Sequence, residues 1–123
     1  RDNCIVNMLD MKLWAMNPDF YSYTMSKAAL LAATDMMARS FAPHVRVNAI
    51  APGLLLPSYD QTQEEFKAVA SKNLLGREID LGDVASSLEF LLATPALTGQ
   101  VRHVDNGQRL APTRRDVIFE PRR

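Results

Sequence analysis

The apolar residues of the chain fall into several short runs and one long stretch with the composition of a helix. Residues 4–9 form a short apolar run with two β-branched side chains, which predicts a strand covered on both faces. Residues 45–50 and 100–104 form two further predicted strands, ended by Pro-Gly and by Asp-Asn-Gly. Residues 20–42 contain neither Gly nor Pro and are rich in Ala, Leu and Met, which predicts a long helix packed on two sides.

Two more helices are predicted between the second and third strands. Residues 61–74 have an amphipathic pattern, with Thr62 or Asp60 as the candidate N-cap. Residues 80–94 place apolar side chains at helical spacing and are followed by Pro95, which cannot continue a helix. The order strand, helix, strand, helix, helix, strand is typical of a parallel sheet, so we predict an α/β fold with three strands of a doubly wound sheet.

Composition narrows the class of protein. The 123 residues are 47% hydrophobic and 23% charged, so we expect the chain to fold around a core. Fourteen basic and fourteen acidic side chains give a net charge of zero, which argues against a nucleic-acid partner bound by a basic surface. No run approaches the roughly 20 apolar residues of a membrane span, so no membrane partner is expected.

Cysteine and histidine usage adds two expectations. Cys4 is the single cysteine, which excludes an internal disulfide and fits a reducing, cytoplasmic compartment. His44 and His103 lie far apart in sequence and form no metal-site pattern, so we expect no metal.

Each end of the chain carries an expectation of its own. The chain runs from a residue other than Met straight into a predicted strand, and three strands are few for a doubly wound sheet. We expect residues 1–123 to be the C-terminal catalytic half of one domain, with the nucleotide-binding half absent. Residues 109–123 hold five arginines and two prolines and predict an exposed or loosely docked tail, or a basic contact arm.

Four positions suggest chemistry. Tyr23 and Lys27 are four residues apart on the predicted long helix and therefore share one face. A Lys ammonium beside a phenol lowers the phenol pKa from about 10, which suits a general acid, although such a pair is also a common surface coincidence. Asp10 follows the first strand and Pro52-Gly53 follows the second. Ligands of parallel α/β sheets bind beyond these strand ends, so all four can face one crevice.

With their surroundings, these positions resemble the C-terminal half of the short-chain dehydrogenases/reductases. The resemblance covers about residues 3–110 and keeps the family's order of elements. The matching motifs are the strand ending at Asp10, Tyr23-x-x-x-Lys27 with Ala28-Ala29-Leu30, residues 46–53, Gly76-Arg77, Asp83-Val84-Ala85, Phe90-Leu91, Thr98-Gly99-Gln100 and Val104-Asp105-x-Gly107.

The resemblance implies a Rossmann-like oxidoreductase that uses NAD(P)(H). It implies that Tyr23 passes a proton to or from the substrate. Lys27 would lower the Tyr23 pKa and hydrogen-bond the nicotinamide ribose. Pro52, Gly53 and Leu54 would lie against the nicotinamide.

The resemblance also implies a cover for the substrate and an assembly. The loop from Leu54, with Leu55, and the helix from residue 61 would cover the substrate. The helices at 20–42 and from Asp80 resemble the family's subunit interfaces, which implies a homodimer or homotetramer.

Asp10 departs from the Ser that most of the family has at this place. An ionised Asp cannot donate a hydrogen bond to a carbonyl, but it can accept one from a substrate N–H. The pteridine reductases and the bacterial dihydromonapterin reductases look like this chain, with Asp before Tyr-x-x-x-Lys at this spacing. NADPH is favoured over NAD because those relatives use it. A drift from Ser that inactivated the enzyme and a cap on the loop remain the alternatives for Asp10.

Three smaller features qualify the resemblance. Trp14 is a candidate to stack on a flat pterin ring, or else it packs the loop down. Where many relatives have a Thr that contacts the cofactor, this chain has Pro57, with Ser58 next. Asn106 replaces a glycine and is expected to accept a left-handed turn. The sequence contains no Gly-rich phosphate-binding turn.

Three functions follow in order of preference. The first is NADPH-dependent reduction of a dihydropteridine, with Asp10, Tyr23 and Lys27 as catalytic residues and Asp10, Trp14, Tyr23 and Leu55 at the substrate. The second is a dehydrogenase or reductase of another carbonyl or alcohol. The third is a non-catalytic scaffold that has kept the fold.

Overall fold

One parallel sheet lies at the centre of the structure, a computed structural model that describes residues 2–57 and 61–119. Its strands lie in the order β1 (Asn3–Met8), β2 (Val45–Pro52) and β3 (Val101–Val104). β2 pairs in parallel with both neighbours and is therefore the central strand of the described sheet. The predicted α/β class with a parallel three-stranded sheet is confirmed.

Three helices and three short 3-10 turns connect and follow these strands. The helices are α1 (Tyr21–Phe41), α2 (Gln63–Ala70) and α3 (Leu81–Ala93). The 3-10 turns lie at Met11–Trp14, Gln108–Leu110 and Val117–Phe119. Within the described ranges, no helix combines the length and the apolar character needed to cross a membrane.

The ends of α2 show how local side chains set its length. The Thr62 hydroxyl accepts the Glu65 amide at 3.0 Å, and the Glu65 carboxylate accepts the Thr62 amide at 3.1 Å, which forms a capping box. Asp60, the other candidate cap, lies outside the described residues. α2 ends at Ala70, four residues earlier than predicted. The Asn73 side chain donates to the Ala70 carbonyl at 3.4 Å and so favours a turn over further helix.

The side chains of β2 alternate between two faces of the sheet. Ala49 and Ala51 are fully buried and belong to the core on which Leu31 of α1 packs. Arg46 and Asn48 point the other way and hydrogen-bond carbonyls at the end of α3 and in the turn after it. Helices therefore cover both faces, as a doubly wound sheet requires.

The buried Arg46 and Asn48, together with the exposed Asp2, form a polar group that we call the Arg46 cluster. The Arg46 guanidinium donates to the Leu91 and Leu97 carbonyls at 3.0 and 2.8 Å and pairs with the Asp2 carboxylate at 2.8 Å. Asn48 is fully buried and donates to the Leu97 carbonyl at 2.9 Å. Orphan carbonyls at the end of a helix need such donors, so this cluster has a structural role.

The turn after β3 is fixed by a buried carboxylate. Asp105 is 3% exposed and accepts the amides of Gly107 and Arg109 at 3.1 and 3.0 Å. Asn106 has a φ of 48°, so the left-handed turn expected there is present. This turn carries the chain back toward the ends of β1 and β2, where it meets the candidate site.

Candidate active site

Asp10 and Tyr23 meet at the carboxyl end of β1. Asp10 lies two residues after the end of β1 and is the N-cap of the 3-10 turn Met11–Trp14, and Tyr23 lies in the first turn of α1. The Tyr23 hydroxyl donates to Asp10 Oδ2 at 2.8 Å, while Asp10 Oδ1 accepts the Lys12 amide at 2.9 Å. The structure thus brings the two predicted residues together, and Asp10 also caps the loop as its alternative role required.

The surroundings of Tyr23 raise the pKa of its phenol. Burial is the largest cause, followed by the negative charge of Asp10 and the hydrogen bond to it. This direction is opposite to the lowering that the Lys27 spacing predicts. The Lys27 ammonium donates to the Met8 carbonyl at 2.7 Å and lies 5.8 Å from the centre of the Tyr23 ring. The phenol is therefore bonded to an anion, and it stays protonated at neutral pH.

A cavity of about 1340 Å³ opens beside these two residues. Pockets for small ligands usually occupy roughly 300–1,000 Å³, so this one has room for two flat groups side by side. Its walls come from five parts of the chain. They include Asp10, Lys12 and Asn17 after β1, Phe20 and Tyr23 at the start of α1, residues 52–56 after β2, Ala68 and Ser71 to Asn73 by α2, and residues 108, 111–113 and 116–118.

The loop after β2 forms one wall of the cavity. A Cβ atom on Gly53 would lie 2.7 Å from Gln108 Oε1 and 2.8 Å from Ile79 Cδ1, so only glycine fits there without movement. Gln108 Oε1 also accepts the Leu54 amide at 3.0 Å. Sequence analysis missed Gln108, because a contact across more than 50 residues leaves no local pattern.

The structure brings Pro52, Gly53, Leu54 and Leu55 to the cavity, as their predicted roles require. It does not bring the Lys27 ammonium there, since that group is bonded to the Met8 carbonyl. Ser58 lies outside the described residues.

Trp14 lies away from the cavity wall. Its ring meets His103 edge-on, with the ring centres 4.4 Å apart. Burial lowers the pKa of His103 and so favours the neutral imidazole at this contact. The position of Trp14 fits the packing alternative, and the geometry gives no support to stacking on a substrate.

The C-terminal segment, residues 111–119, folds back and forms part of the cavity wall. The Arg115 guanidinium donates hydrogen bonds of 2.7 to 3.0 Å to the Asp19 carboxylate, and the Asp116 amide donates to Asp19 Oδ2 at 2.7 Å. These two donors lower the pKa of Asp19 to about 2. Phe119 stacks on Phe20 with ring centres 5.8 Å apart. Over residues 111–119, the exposed or loosely docked tail expected from the sequence is thus replaced by a held segment, because two residues 96 positions apart form an ion pair. Residues 120–123 of the predicted tail lie outside the described residues.

Phe20 joins this segment to the start of α1. Its φ is 53°, a left-handed conformation that costs a bulky residue about 1–2 kcal/mol. The buried Lys12 side chain donates to the carbonyl of Asp19, and its ammonium lies 5.5 Å from the centre of the Phe20 ring. The turn before α1 is thus held by contacts with Lys12 and with Phe119, and these contacts help to fix the position of Tyr23 in the site.

Asp116 places a second carboxyl group in the cavity wall. Its Oδ1 accepts the Ile118 amide at 3.2 Å, which orients the side chain. Burial raises the pKa of Asp116, and the negative charges of Asp10 and Asp19 add to that rise. The charge of Asp116 in turn helps to raise the pKa of Tyr23. Asp10, Tyr23 and Asp116 are therefore electrostatically coupled around one space.

The loop from Pro52 to Leu54 and Tyr23 border the same space, which is the space that the nicotinamide end of a dinucleotide cofactor would need. For the phosphate end the sequence offers no Gly-rich turn. No group of three or more His, Cys, Asp or Glu side chains in residues 2–57 and 61–119 is placed to bind a metal ion.

Comparison with known proteins places this geometry in a family. Residues 1–109 match the family model described as enoyl-(acyl carrier protein) reductase. Dihydromonapterin reductase from Citrobacter koseri is 32% identical over 106 residues, which is 86% of this chain and 44% of that protein. The short-chain dehydrogenase/reductase homolog YusR from Bacillus subtilis is 31% identical over 111 residues, 89% of this chain and 86% of that protein.

Similarity to a solved structure supports the same family assignment. FolM alternative dihydrofolate reductase 1 from Brucella canis, complexed with NADP, is 42% identical with a TM-score of 0.85. The match covers 92% of this chain and 45% of that one, so the chain spans less than half the length of two of these three relatives. Together with the Rossmann-like sheet and the position of Tyr23, these matches confirm the resemblance found in the sequence: the chain belongs to the short-chain dehydrogenase/reductase family.

Proposed function

We propose that the protein is an NADPH-dependent reductase of a dihydropteridine. The observation that carries this proposal is the 2.8 Å hydrogen bond from the Tyr23 hydroxyl to Asp10 at the mouth of a cavity large enough for two flat rings. Two of the similar proteins are named for pterin and dihydrofolate reduction, and one of these is complexed with NADP. The names support both the substrate class and the choice of NADPH over NAD.

The proposed reaction adds hydrogen to a carbon–nitrogen double bond. A bound NADPH would supply the hydride that goes to carbon. Tyr23 supplies the proton that goes to nitrogen, and its raised pKa keeps that proton in place at neutral pH. Pro52, Gly53 and Leu54 would hold the nicotinamide, and Tyr23 and Lys27 would hold its ribose once the Lys27 ammonium leaves the Met8 carbonyl.

Asp10 makes the reaction depend on the substrate's N–H groups. While Tyr23 donates to Asp10, its proton is engaged, and the nearby charge opposes formation of a phenolate. A substrate N–H that donates to Asp10 displaces the Tyr23 hydroxyl and offsets that charge. A plain ketone has no such donor, so it cannot release the Tyr23 proton in this way.

The test is NADPH oxidation by the protein produced from its complete reading frame. Dihydrobiopterin, dihydromonapterin and dihydrofolate are offered beside a panel of plain ketones, with Tyr23→Phe as the control. We expect turnover of at least one pterin and a loss of about 10²-fold or more in the variant. Turnover of ketones alone would refute the proposed substrate and favour the second function, a dehydrogenase or reductase of another carbonyl or alcohol. A folded protein with no turnover would favour the scaffold.

We also propose a homodimer or homotetramer in the cytoplasm. The outer faces of α1 and α3 carry large exposed apolar side chains, including Met25, Met36 and Phe90. Exposed apolar patches of this kind commonly mark subunit contacts. Light scattering of the purified protein measures the assembly, and a monomer at micromolar concentration would contradict it.

A further inference from the structure

The C-terminal segment forms one wall of the substrate cavity, and it brings a charged group there. Asp116, Val117 and Ile118 line the same cavity as Asp10 and Tyr23. Val117 is 8% exposed, so its buried side chain anchors the segment. The segment is therefore part of the site and not a cover laid over it.

We propose that Asp116 is a substrate-binding residue that accepts the paired N–H donors of the pteridine's aminopyrimidine edge. This inference rests on the proposed function. A 2-amino-4-oxopteridine presents an N–H and an NH₂ group side by side, and a carboxylate offers two oxygens that can accept such a pair. Asp10 and Asp116 then contact different parts of one substrate, the first near the reduced bond and the second at the amino edge.

The position of Asp116 suits this role. The Ile118 amide occupies one acceptor site of its carboxylate at 3.2 Å, and a carboxylate has about four. A carboxylate in a half-buried wall is costly to keep charged, and a ligand with matching donors offsets that cost. The raised pKa of Asp116 in this cavity agrees with such a need.

Arg115 and Asp19 act as positioning residues in the same proposal. Arg115 holds Asp19 through both carboxylate oxygens, and Asp19 Oδ2 accepts the amide of Asp116 itself. The ion pair thus fixes the backbone from which the Asp116 side chain extends. Loss of the pair would let that carboxyl group move without touching Asp10 or Tyr23.

The experiment compares two ligands that differ only at the amino edge. Binding of a 2-amino-4-oxopteridine and of the matching 2,4-dioxopteridine is measured with NADP⁺ present, for the wild type and for Asp116→Asn. We expect the variant to bind the aminopteridine about 10- to 100-fold more weakly and the dioxopteridine within about threefold of the wild type. The kcat for a dihydropterin should change far less than its KM. Asp35→Asn, an exposed carboxylate on α1, makes the same chemical change away from the cavity and should alter neither.

Two further variants test the positioning role. Arg115→Gln should raise the KM for the pterin by about 3- to 10-fold with kcat nearly kept, and Arg115→Lys should recover part of that loss. A merely structural role would lower kcat and stability together and would show no such recovery.

The outcomes separate this inference from the proposed function. A wild type that reduces pterins, with Asp116→Asn unchanged or equally weakened toward both pteridines, overturns the inference and leaves the function standing. A wild type that binds neither pteridine but reduces ketones overturns the function, and the inference with it.

Discussion

Two polar clusters in this molecule each contain a hydrogen-bonded carboxylate but differ in what surrounds them. In the Arg46 cluster, Arg46 and Asn48 are buried between sheet and helix, and the guanidinium donors reach main-chain carbonyls and the exposed Asp2 carboxylate. Asp10 and Tyr23 are also joined by a hydrogen bond, yet they border a cavity, and burial together with the nearby Asp10 charge raises the pKa of the phenol. Closed clusters of this kind serve stability, whereas open ones keep a group ready for a ligand.

Asp10→Asn should produce the largest effect on activity and almost none on stability. We expect about a 10³-fold loss in kcat/KM for a dihydropterin, because the amide cannot replace the anion that receives a substrate N–H. The pKa of Tyr23 should fall relative to the wild type, because the neighbouring charge is gone. Steady-state kinetics measures the first effect.

Spectroscopic titration of tyrosinate, with Tyr23→Phe as the reference, measures the change that Asp10→Asn makes in the pKa of Tyr23. An Asp10→Asn protein with normal turnover would show that the open cluster is no more than a loop cap.

Arg46→Met should lower stability strongly and leave activity almost unchanged. Removing a buried cation leaves the Leu91 and Leu97 carbonyls and the Asp2 carboxylate without their donor, which should cost about 3 kcal/mol of unfolding free energy. Activity per folded molecule should be kept. Urea unfolding gives the free energy, and Arg39→Met serves as control, since its exposed ion pair with Asp35 contributes less than about 1 kcal/mol. Equal effects of the two variants would contradict the structural role of the Arg46 cluster.

Gly53→Ala tests the boundary between stability and activity. The new methyl group would lie within 3.0 Å of Gln108, Ile79 and Asp105, so we expect a loss of about 1–3 kcal/mol together with weaker turnover. Gly76→Ala is the matched control. Gly76 has a φ of 67° and open space around it, so alanine there should cost only about 1 kcal/mol of backbone strain and leave turnover unchanged. Thermal unfolding and kinetics on both variants distinguish a clash from strain.

The smallest expected effect concerns acid stability. The pKa of Asp19 is about 2 in the folded protein, below its ordinary value of about 4. Its ion pair therefore contributes stability that is full above about pH 4 and is lost as the pH falls toward 2. Unfolding free energies measured from pH 6 to pH 2 should decline more steeply for the wild type than for Asp19→Asn. Parallel curves would mean that the held segment adds nothing to stability.

Local patterns in the sequence were enough to predict the order of elements and the meeting of Asp10 with Tyr23. Strand ends in a parallel sheet share one edge, and a helix face repeats every three to four residues, so both follow from spacing alone. The direction of the Tyr23 pKa shift was predicted wrongly, because burial of the phenol and the negative charge of Asp10 raise that pKa. The depth at which one side chain is buried does not follow from the Tyr23–Lys27 spacing.

Long-range contacts account for what the sequence left hidden. The ion pair between Asp19 and Arg115 joins residues 96 positions apart, and Gln108 reaches Leu54 across 54. Neither has a periodic pattern, and an arginine-rich stretch near a chain end is typical of an exposed tail. The folded sheet is what brings these partners together.

The alternation of side chains along β2 limits where residues can be inserted into this chain or deleted from it. A deletion of one residue inside Val45–Pro52 would turn Arg46 and Asn48 toward α1 and their apolar neighbours toward α3. Both layers would lose their partners at once. Insertions and deletions should therefore survive in the surface loops of related chains, while the eight-residue spacing of this central strand stays constant through descent.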